Sequence, residues 1–557
     1  MVQLSARTRS IVTAIGFLTG AYDMFILNIA KDLIVEEFPP HGGTPEERNA
    51  VSSGREASLA SMALIGAVVG QLVFGALADQ LGRRFIFVAT LACVTAGSFL
   101  SAAVSADPVL GMDVFQQLSV CRLLLGLGIG GEYPLSATVT AEASAKQSRT
   151  ARSVATVFAM QGVGSVMAGL LTWIVLIAGV DHSTAWRLLL ALGGVPGLLT
   201  LPWRWCMNES EAFRMISASP AAVDEGAESG GAGSAAATPT NSVKLSDVVD
   251  WQREPRGKSP SKELGRAIEL APTSLASRSA RAGEGPASPD SKDEPATALQ
   301  DKACGSDSPH SQSQSSESAE EVQEAESAQA RVSVKSTDES ASSIGRWASM
   351  RRTAKAAWDH RGVLAGTAGA WFLFDVAFYG VALFSGRILE ASGGTTSIAD
   401  VAGRQALLSA IGALGHAVAI LTIERLGVIR LQVWGFLTSG AVFFILAGLW
   451  AGLGTSVPML FLAVMTLATL LMNAGPNTTT FVAPSLIFPT EARATCHGLS
   501  AATGKAGAAV GTSIVPILLG AFAPGSPDGL TAVLVVCGSV MVLGAVWSRL
   551  FIGMTRL

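Results

Sequence analysis

The chain has 557 residues, of which 49% are hydrophobic and 15% are charged, and its formal net charge is −4. Soluble domains carry about 25% charged residues, so this composition indicates a membrane protein. The slightly acidic balance gives no indication of a nucleic-acid partner. The six cysteines form no C-x-x-C pair, so we predict neither a disulfide framework nor a metal site.

Apolar segments long enough to cross a bilayer occur in two groups of six. A spanning helix needs about 20 mostly apolar residues. The predicted spans are residues 9–32, 56–78, 85–105, 115–142, 153–180, 186–206, 362–388, 402–424, 430–451, 456–487, 498–523 and 529–552. We therefore predict an all-α polytopic membrane protein in which residues 1–211 and 359–557 form two six-helix halves.

The segment between the halves, residues 212–358, is rich in Ser, Ala, Glu, Gly and Pro. Such a composition cannot bury enough apolar surface to fold alone, so we predict a long disordered linker. Its serines are candidate phosphorylation sites, and the segment is a candidate docking site for regulatory proteins or kinases. A solvated linker without such a role is the simpler interpretation.

Basic residues favour one side of the predicted bundle. Short loops on that side contain Arg83, Arg84 and Arg152, among others. By the positive-inside rule this side is cytoplasmic, together with both termini and the linker. The predicted outer loop over residues 35–55 contains two arginines but also four glutamates. We therefore predict an integral membrane protein, of the plasma membrane, with cytoplasmic termini.

Several predicted spans contain charged side chains, which are costly in hydrocarbon and often mark a ligand or ion pathway. Glu132 lies in the middle of the glycine-rich apolar stretch of residues 124–142, beside Tyr133. Tyr22 adjoins Asp23 in the first span. We expect these acids and tyrosines to converge on one site.

The second half contributes a complementary set. Trp371, Asp375 and Tyr379 recur every four residues and so form one stripe of a helix, while Lys505 lies among glycines. Tyrosine, tryptophan, amide and ammonium groups all donate hydrogen bonds, so the set suits a polyoxyanion and a proton. The candidate residues are Asp23, Glu132, Tyr133, Gln161, Trp371, Asp375, Tyr379, Asn477 and Lys505.

Packing roles stay open for single polar residues. Asn473 suits an interhelical hydrogen bond, and Lys505 could snorkel to a headgroup. The motif Gly126-x-Gly128-x-x-Gly131 matches the dinucleotide fingerprint, but it lies inside a predicted span without the preceding strand that the fingerprint requires. We interpret these glycines as a helix-packing surface and predict no cofactor.

The turn between the second and third spans reads GALADQLGRR, residues 75–84. It places an acid at the end of one helix and two arginines in the turn, where an arginine can pair with the acid or with a helix C-terminus. We predict that it latches the bundle on the cytoplasmic side. The segment comprises Gly75, Asp79, Gly82, Arg83 and Arg84.

These segments resemble a known family. GALADQLGRR resembles the loop 2–3 motif of the major facilitator superfamily. GGEYPLSATVTAE, residues 130–142, resembles the GGDYPLSAT signature of the phosphate:proton symporters of fungi and plants, with Glu132 in place of the aspartate. Further segments that resemble this family, in the same order, are VFAMQGVG (157–164), WFLFDVAFYG (371–380), GPNTTTFVAP (475–484) and TCHGLSAATGKAGAAVG (495–511).

The resemblance implies a carrier of the high-affinity type that imports inorganic phosphate with protons by alternating access. It implies proton handling by Asp23, Glu132 and Asp375. Two family acids are absent, because Gly20 and Leu486 stand in their places, and this alters the expected proton route. The phosphate contacts that it implies are Tyr133, Gln161, Trp371, Asp375, Tyr379, Asn477 and Lys505.

Two other functions remain open. One is a carrier of another solute, such as a sugar, an organic ion or a different oxyanion. The other is a phosphate sensor that has the carrier fold. An enzyme is not predicted, because the sequence shows no nucleophile–base pair and no metal-ligand cluster.

Overall fold

The computed structural model describes residues 6–39, 45–144, 149–209, 213–214, 347, 349–382, 397–453, 456, 458–522 and 526–553. Within these ranges the backbone is almost entirely helical. The helices are α1 (Ala6–Glu37), α2 (Pro45–Leu81), α3 (Arg83–Ala102), α4 (Val114–Ser144), α5 (Thr150–Phe158), α6 (Met160–Ile177), α7 (His182–Trp205), α8 (Arg361–Ala382), α9 (Ile398–Leu426), α10 (Val428–Leu453), α11 (Pro458–Met472), α12 (Thr478–Ile487), α13 (Arg493–Gly520) and α14 (Pro527–Trp547).

Twelve spans of the described chain are long and apolar enough to cross a membrane, as predicted. Helices α5 and α6 together make the fifth span, with a break at Ala159. Helices α11 and α12 make the tenth and are joined by a π-helical segment, Asn473–Asn477, in which Gly475 leaves the helical region of φ and ψ. The predicted fold class, two six-helix halves in a polytopic membrane protein, is confirmed.

One predicted loop is wrong in its bounds, and one predicted span ends outside the described residues. The loop predicted over residues 35–55 is much shorter, because α1 continues to Glu37 and α2 already begins at Pro45. Pro45 followed by two glutamates is a helix-start sequence, and a search for apolar runs alone passes over it. Residues 383–388, at the end of the seventh predicted span, lie outside the described residues.

The predicted linker falls almost entirely outside the described residues, and its disorder stays a prediction. Its last part is an exception, because residues 349–358 are helical. Thr353 in this stretch donates a hydrogen bond of 3.0 Å to the backbone oxygen of Glu491. The helical second half therefore begins before residue 359.

Glycines allow close approach of α4 and α2 in the first half. A Cβ atom on Gly130 would overlap the backbone oxygen of Ala67, and one on Gly126 would overlap that of Ala63. Small residues at this spacing are typical of tightly packed membrane helices. The other two glycines of the dinucleotide fingerprint, Gly128 and Gly131, face Thr90 of α3 in the same way. The fingerprint glycines therefore form a packing surface, as interpreted from the sequence.

Candidate functional site

Lys505 of α13 lies at the centre of a buried polar cluster. Its Nζ atom is 3.1 Å from Asp375 Oδ2 and 2.8 Å from the hydroxyl oxygen of Tyr379. The same Nζ atom lies 5.2 Å from the ring centroid of Tyr133, on α4 of the first half. All four side chains are buried. The structure thus brings together predicted residues from both halves, and Lys505 does not snorkel.

The local sequence explains this arrangement. Trp371, Asp375 and Tyr379 lie on one face of α8 because they are spaced one helical turn apart. Glycines of α13 face that helix, and a Cβ atom on Gly507 would overlap the backbone oxygen of Phe372. The two backbones therefore lie close enough for the Lys505 side chain to reach the α8 stripe.

Aromatic rings pack together around Phe481, next to the cluster. Phe481 of α12 lies 6.0 Å from Tyr133 and 6.3 Å from Trp371, measured between ring centroids. It also stacks on Phe158, at 4.5 Å, and meets Phe17 edge-on, at 5.3 Å. These five rings come from both halves and pack against one another next to Lys505.

A cavity of about 80 Å³ lies between the halves and is lined by Gln161 and Asn477, two further predicted residues. Asn477 Nδ2 donates to Asn473 Oδ1 at 2.6 Å, and Asn473 Nδ2 donates to the backbone oxygen of Gly412 at 3.0 Å. Asn473 therefore makes the interhelical hydrogen bond that was its alternative interpretation. Gln161 Oε1 is buried without a protein partner among the described residues.

The predicted set is thus divided between two adjoining places. Tyr133, Trp371, Asp375, Tyr379 and Lys505 form the Lys505 cluster, whereas Gln161 and Asn477 line the cavity. Two consecutive residues of α8 connect them, because Phe378 lines the cavity and Tyr379 belongs to the cluster.

The acid of α1 is held within the first half. Ser98 Oγ donates to Asp23 Oδ2 at 2.6 Å, and Arg122 donates to the backbone oxygen of Asp23 at 3.3 Å. Asp23 Oδ1 is buried without a hydrogen-bond partner in the described part of the chain. Tyr22 does not join the Lys505 cluster as expected, because its hydroxyl donates to the backbone oxygen of Leu189 at 2.9 Å.

Glu132 also has its partners in the first half. Both its carboxylate oxygens accept hydrogen bonds from the guanidinium of Arg204, and Oε1 accepts another from Thr90 at 2.8 Å. The guanidinium lies 3.7 Å from the ring centroid of Phe87. Arg204 is missing from the sequence-based set because it lies near the end of its span, where a basic residue usually reaches a headgroup.

The loop 2–3 segment joins the two halves at one end of the bundle. Asp79 Oδ1 lies 3.2 Å from Arg83 Nη2, and Asp79 Oδ2 accepts hydrogen bonds from both the backbone nitrogen and the hydroxyl of Thr495. Arg83 also donates to the backbone oxygen of Thr490 at 3.0 Å. We call these four residues the latch contacts. They connect α2 and α3 with the start of α13.

Two further residues support the latch contacts. Arg84 donates to the backbone oxygen of Trp205 at 2.6 Å, at the C-terminus of α7. Glu209 accepts hydrogen bonds from the backbone nitrogens of Arg83 and Arg84, each at 3.1 Å. Gly82 has φ +98°, a conformation that favours glycine. The turn thus has the arginine contacts expected from its sequence, together with a glutamate cap that was not foreseen.

The chain is similar to known transport proteins. A family described as "Sugar (and other) transporter" matches residues 9–235 and 304–552. The chain is 28% identical to "Inorganic phosphate transporter 1-11" of Oryza sativa subsp. japonica, over 91% of this chain and 80% of that protein. It is also 28% identical to a putative inorganic phosphate transporter of Schizosaccharomyces pombe, over 92% of this chain and 81% of that protein.

Solved structures share the fold at low sequence identity. The proton:xylose symporter XylE, of the major facilitator superfamily, superposes with a TM-score of 0.62 at 15% identity, covering 96% of this chain and 94% of that one. A partially occluded inward-open form of the xylose transporter from E. coli gives a TM-score of 0.58 at 15% identity, covering 96% and 97%.

Proposed function

Because the chain belongs to the sugar (and other) transporter family and has the major facilitator fold, we propose that it imports inorganic phosphate together with protons by alternating access. The main supporting observation is the buried Lys505, which lies against Asp375 and Tyr379. Phe378, next to Tyr379 in the chain, lines the cavity. The phosphate transporter names of its relatives in rice and fission yeast agree with such a cargo.

The Lys505 cluster suits an anion that arrives with a proton. Lys505 supplies the positive charge that a buried anion needs, and Tyr379 and Tyr133 supply hydroxyl groups. An ionised Asp375 beside phosphate would repel it, so phosphate binding and protonation of Asp375 favour each other. In this proposal Asp375 is the coupling acid, and the ammonium of Lys505 turns from Asp375 to the phosphate. The proton on Asp375 then crosses with the cargo.

Within this proposal Asp23 and Glu132 pass protons towards Asp375. The unpartnered Oδ1 atom of Asp23 suits proton acceptance. Glu132 is engaged at both oxygens by Arg204, so a proton on Glu132 has to displace one of these contacts. Asp23 can therefore accept a proton at Oδ1 without losing a hydrogen bond, whereas Glu132 cannot.

Uptake of radiolabelled phosphate by transporter-deficient cells tests the proposal. The wild type should accumulate phosphate, and uptake should rise as the external pH falls. Asp375→Asn mimics a permanently protonated acid, so its remaining uptake should lose the dependence on external pH. Unchanged proton-coupled uptake in Asp375→Asn would contradict the assignment of the coupling acid. Uptake of a sugar but not of phosphate would indicate a sugar carrier instead. Phosphate binding without uptake would indicate a phosphate sensor.

We further propose that the latch contacts lie on the cytoplasmic side and close it while the site faces outwards. A Cβ atom on Gly75 would lie 2.9 Å from the backbone oxygen of Ala494 and 3.4 Å from the Cα atom of Gly498. Gly75→Leu should therefore hold this end open and reduce phosphate uptake by about tenfold, which corresponds to ~1.4 kcal/mol. Uptake normalised to the amount of protein in the membrane checks this.

Gly448→Leu is the matched control. Gly448 lies on another membrane helix, α10, and a Cβ atom there meets nothing within 4 Å. It should leave uptake unchanged, since no neighbouring helix has to move. Equal uptake by both variants would show that closure at Gly75 is not required for transport.

A further inference from the structure

His416 of α9 is a buried histidine that lines the cavity beside Gln161 and Asn477. Packing from the first half fixes the position of its ring. A Cβ atom on Gly162 would lie 2.8 Å from His416 Cδ2, and the ring of Phe158 meets the imidazole edge-on at 5.5 Å between centroids. The position of the ring is therefore fixed at the cavity wall, and no step of the proposed function uses it.

The hydrogen bonds around His416 determine which ring nitrogen has the proton. The hydroxyl of Thr478 donates to the backbone oxygen of Asn473 at 2.7 Å. A threonine hydroxyl has one hydrogen, so it accepts rather than donates in its contact with His416 Nδ1, at 2.9 Å. Nδ1 therefore bears the hydrogen, and Nε2 of the neutral ring has a free lone pair. Among the described residues Nε2 has no protein hydrogen-bond partner.

The cavity has a second free acceptor. Gln161 Oε1 is buried, lines the same cavity, and lacks a protein partner in the described ranges. Acceptors select for a cargo that donates hydrogen bonds. Inorganic phosphate retains at least one P–OH group at neutral pH and two in its singly charged form, whereas sulfate has none.

We propose that His416 Nε2 accepts a hydrogen bond from a P–OH group of phosphate in this cavity, and that this contact, aided by Gln161 Oε1, discriminates phosphate from sulfate. The inference rests on the proposed function and extends it to the choice between oxyanions. A site built to bond a substrate hydroxyl rejects analogues that lack it, because its buried acceptor would then remain unpaired. Arsenate has the same hydroxyl groups as phosphate, so the site should bind arsenate as well as phosphate.

Transport competition tests the inference. Wild-type uptake of phosphate should be inhibited by arsenate and not by sulfate. His416→Phe retains a ring against Phe158 but removes the acceptor, so the KM for phosphate should rise about tenfold. The ratio of the sulfate inhibition constant to the arsenate inhibition constant should then be at least tenfold smaller than in the wild type. His416→Gln, whose amide oxygen can accept, should recover most of the discrimination.

His497→Phe is the matched control. His497 is also a buried histidine, but it bonds the backbone oxygen of Phe481 through Nε2 and does not line the cavity. Its replacement should leave the ratio of the arsenate and sulfate inhibition constants unchanged, whatever it does to stability. An unchanged ratio in His416→Phe, with phosphate uptake intact in the wild type, overturns the inference and leaves the proposed function standing.

A binding measurement on the wild type covers the case in which His416→Phe does not fold. Phosphate should raise the melting temperature of the purified protein, while sulfate and monofluorophosphate, which lacks a P–OH group at neutral pH, should not. Equal protection by phosphate and monofluorophosphate overturns the inference. Absence of phosphate uptake by the wild type would instead overturn the proposed function, and this inference with it.

Discussion

Lys505→Met should abolish phosphate uptake, with a loss of about a hundredfold or more. The change removes the positive charge that a buried phosphate requires, and it leaves Asp375 buried without its ion-pair partner. Removing one partner of a buried ion pair typically costs about 3–5 kcal/mol of stability. Uptake normalised to the protein present in the membrane, together with the melting temperature of the purified protein, measures both effects.

A double variant separates binding from stability. Lys505→Met combined with Asp375→Asn leaves no uncompensated charge, so the melting temperature should return towards the wild-type value. Uptake should stay abolished, because phosphate still lacks a cation. Recovery of uptake in the double variant would show that the charge of Lys505 serves only to compensate Asp375, and the proposed phosphate contact would be wrong.

Arg204→Met should produce the largest loss of stability in the first half, again about 3–5 kcal/mol. Glu132 would lose both guanidinium contacts, and the backbone oxygen of Phe87 would lose the 2.8 Å hydrogen bond that it accepts from Arg204. Neither side chain is close to solvent, so water cannot replace these contacts. The free energy of unfolding in detergent, or the melting temperature, checks the prediction.

Arg187→Met is the matched control in the same helix. Arg187 lies 3.5 Å from Glu37, but both side chains are partly exposed, so the loss should be within about 1 kcal/mol. Adding Glu132→Gln to Arg204→Met should recover part of the stability, since the uncompensated carboxylate is then gone. If Arg204→Met and Arg187→Met were equally stable, the buried pair would not support the first half.

The twelve spans could be predicted because apolar runs of sufficient length have few other interpretations. The stripe of Trp371, Asp375 and Tyr379 could be predicted because helical spacing alone puts these residues on one face. The start of α2 was missed because its signal is a cap sequence rather than hydrophobicity. Sequence patterns therefore predict the length of a span and the residues that share one face of a helix.

The partners of the site residues depend on which helices are neighbours, and one helix's periodicity does not contain that information. Glu132, which is predicted to handle protons, contacts Arg204, 72 residues further along the chain. His416 is not among the residues predicted from the sequence, because its role depends on its contact with Thr478 and on the cavity that it lines. The division of the predicted set between cluster and cavity is likewise a property of the packing between halves.

The buried ion pairs have an electrical consequence for the proposed cycle. In the described spans Glu132 pairs with Arg204 in the first half, and Asp375 pairs with Lys505 in the second. Each pair sums to zero. Moving one net charge across the membrane potential requires ~2.3 kcal/mol per 100 mV, and a neutral pair avoids that work. In the proposed cycle these two pairs therefore contribute no voltage dependence while both partners are charged, and the membrane potential acts on the cargo and its protons.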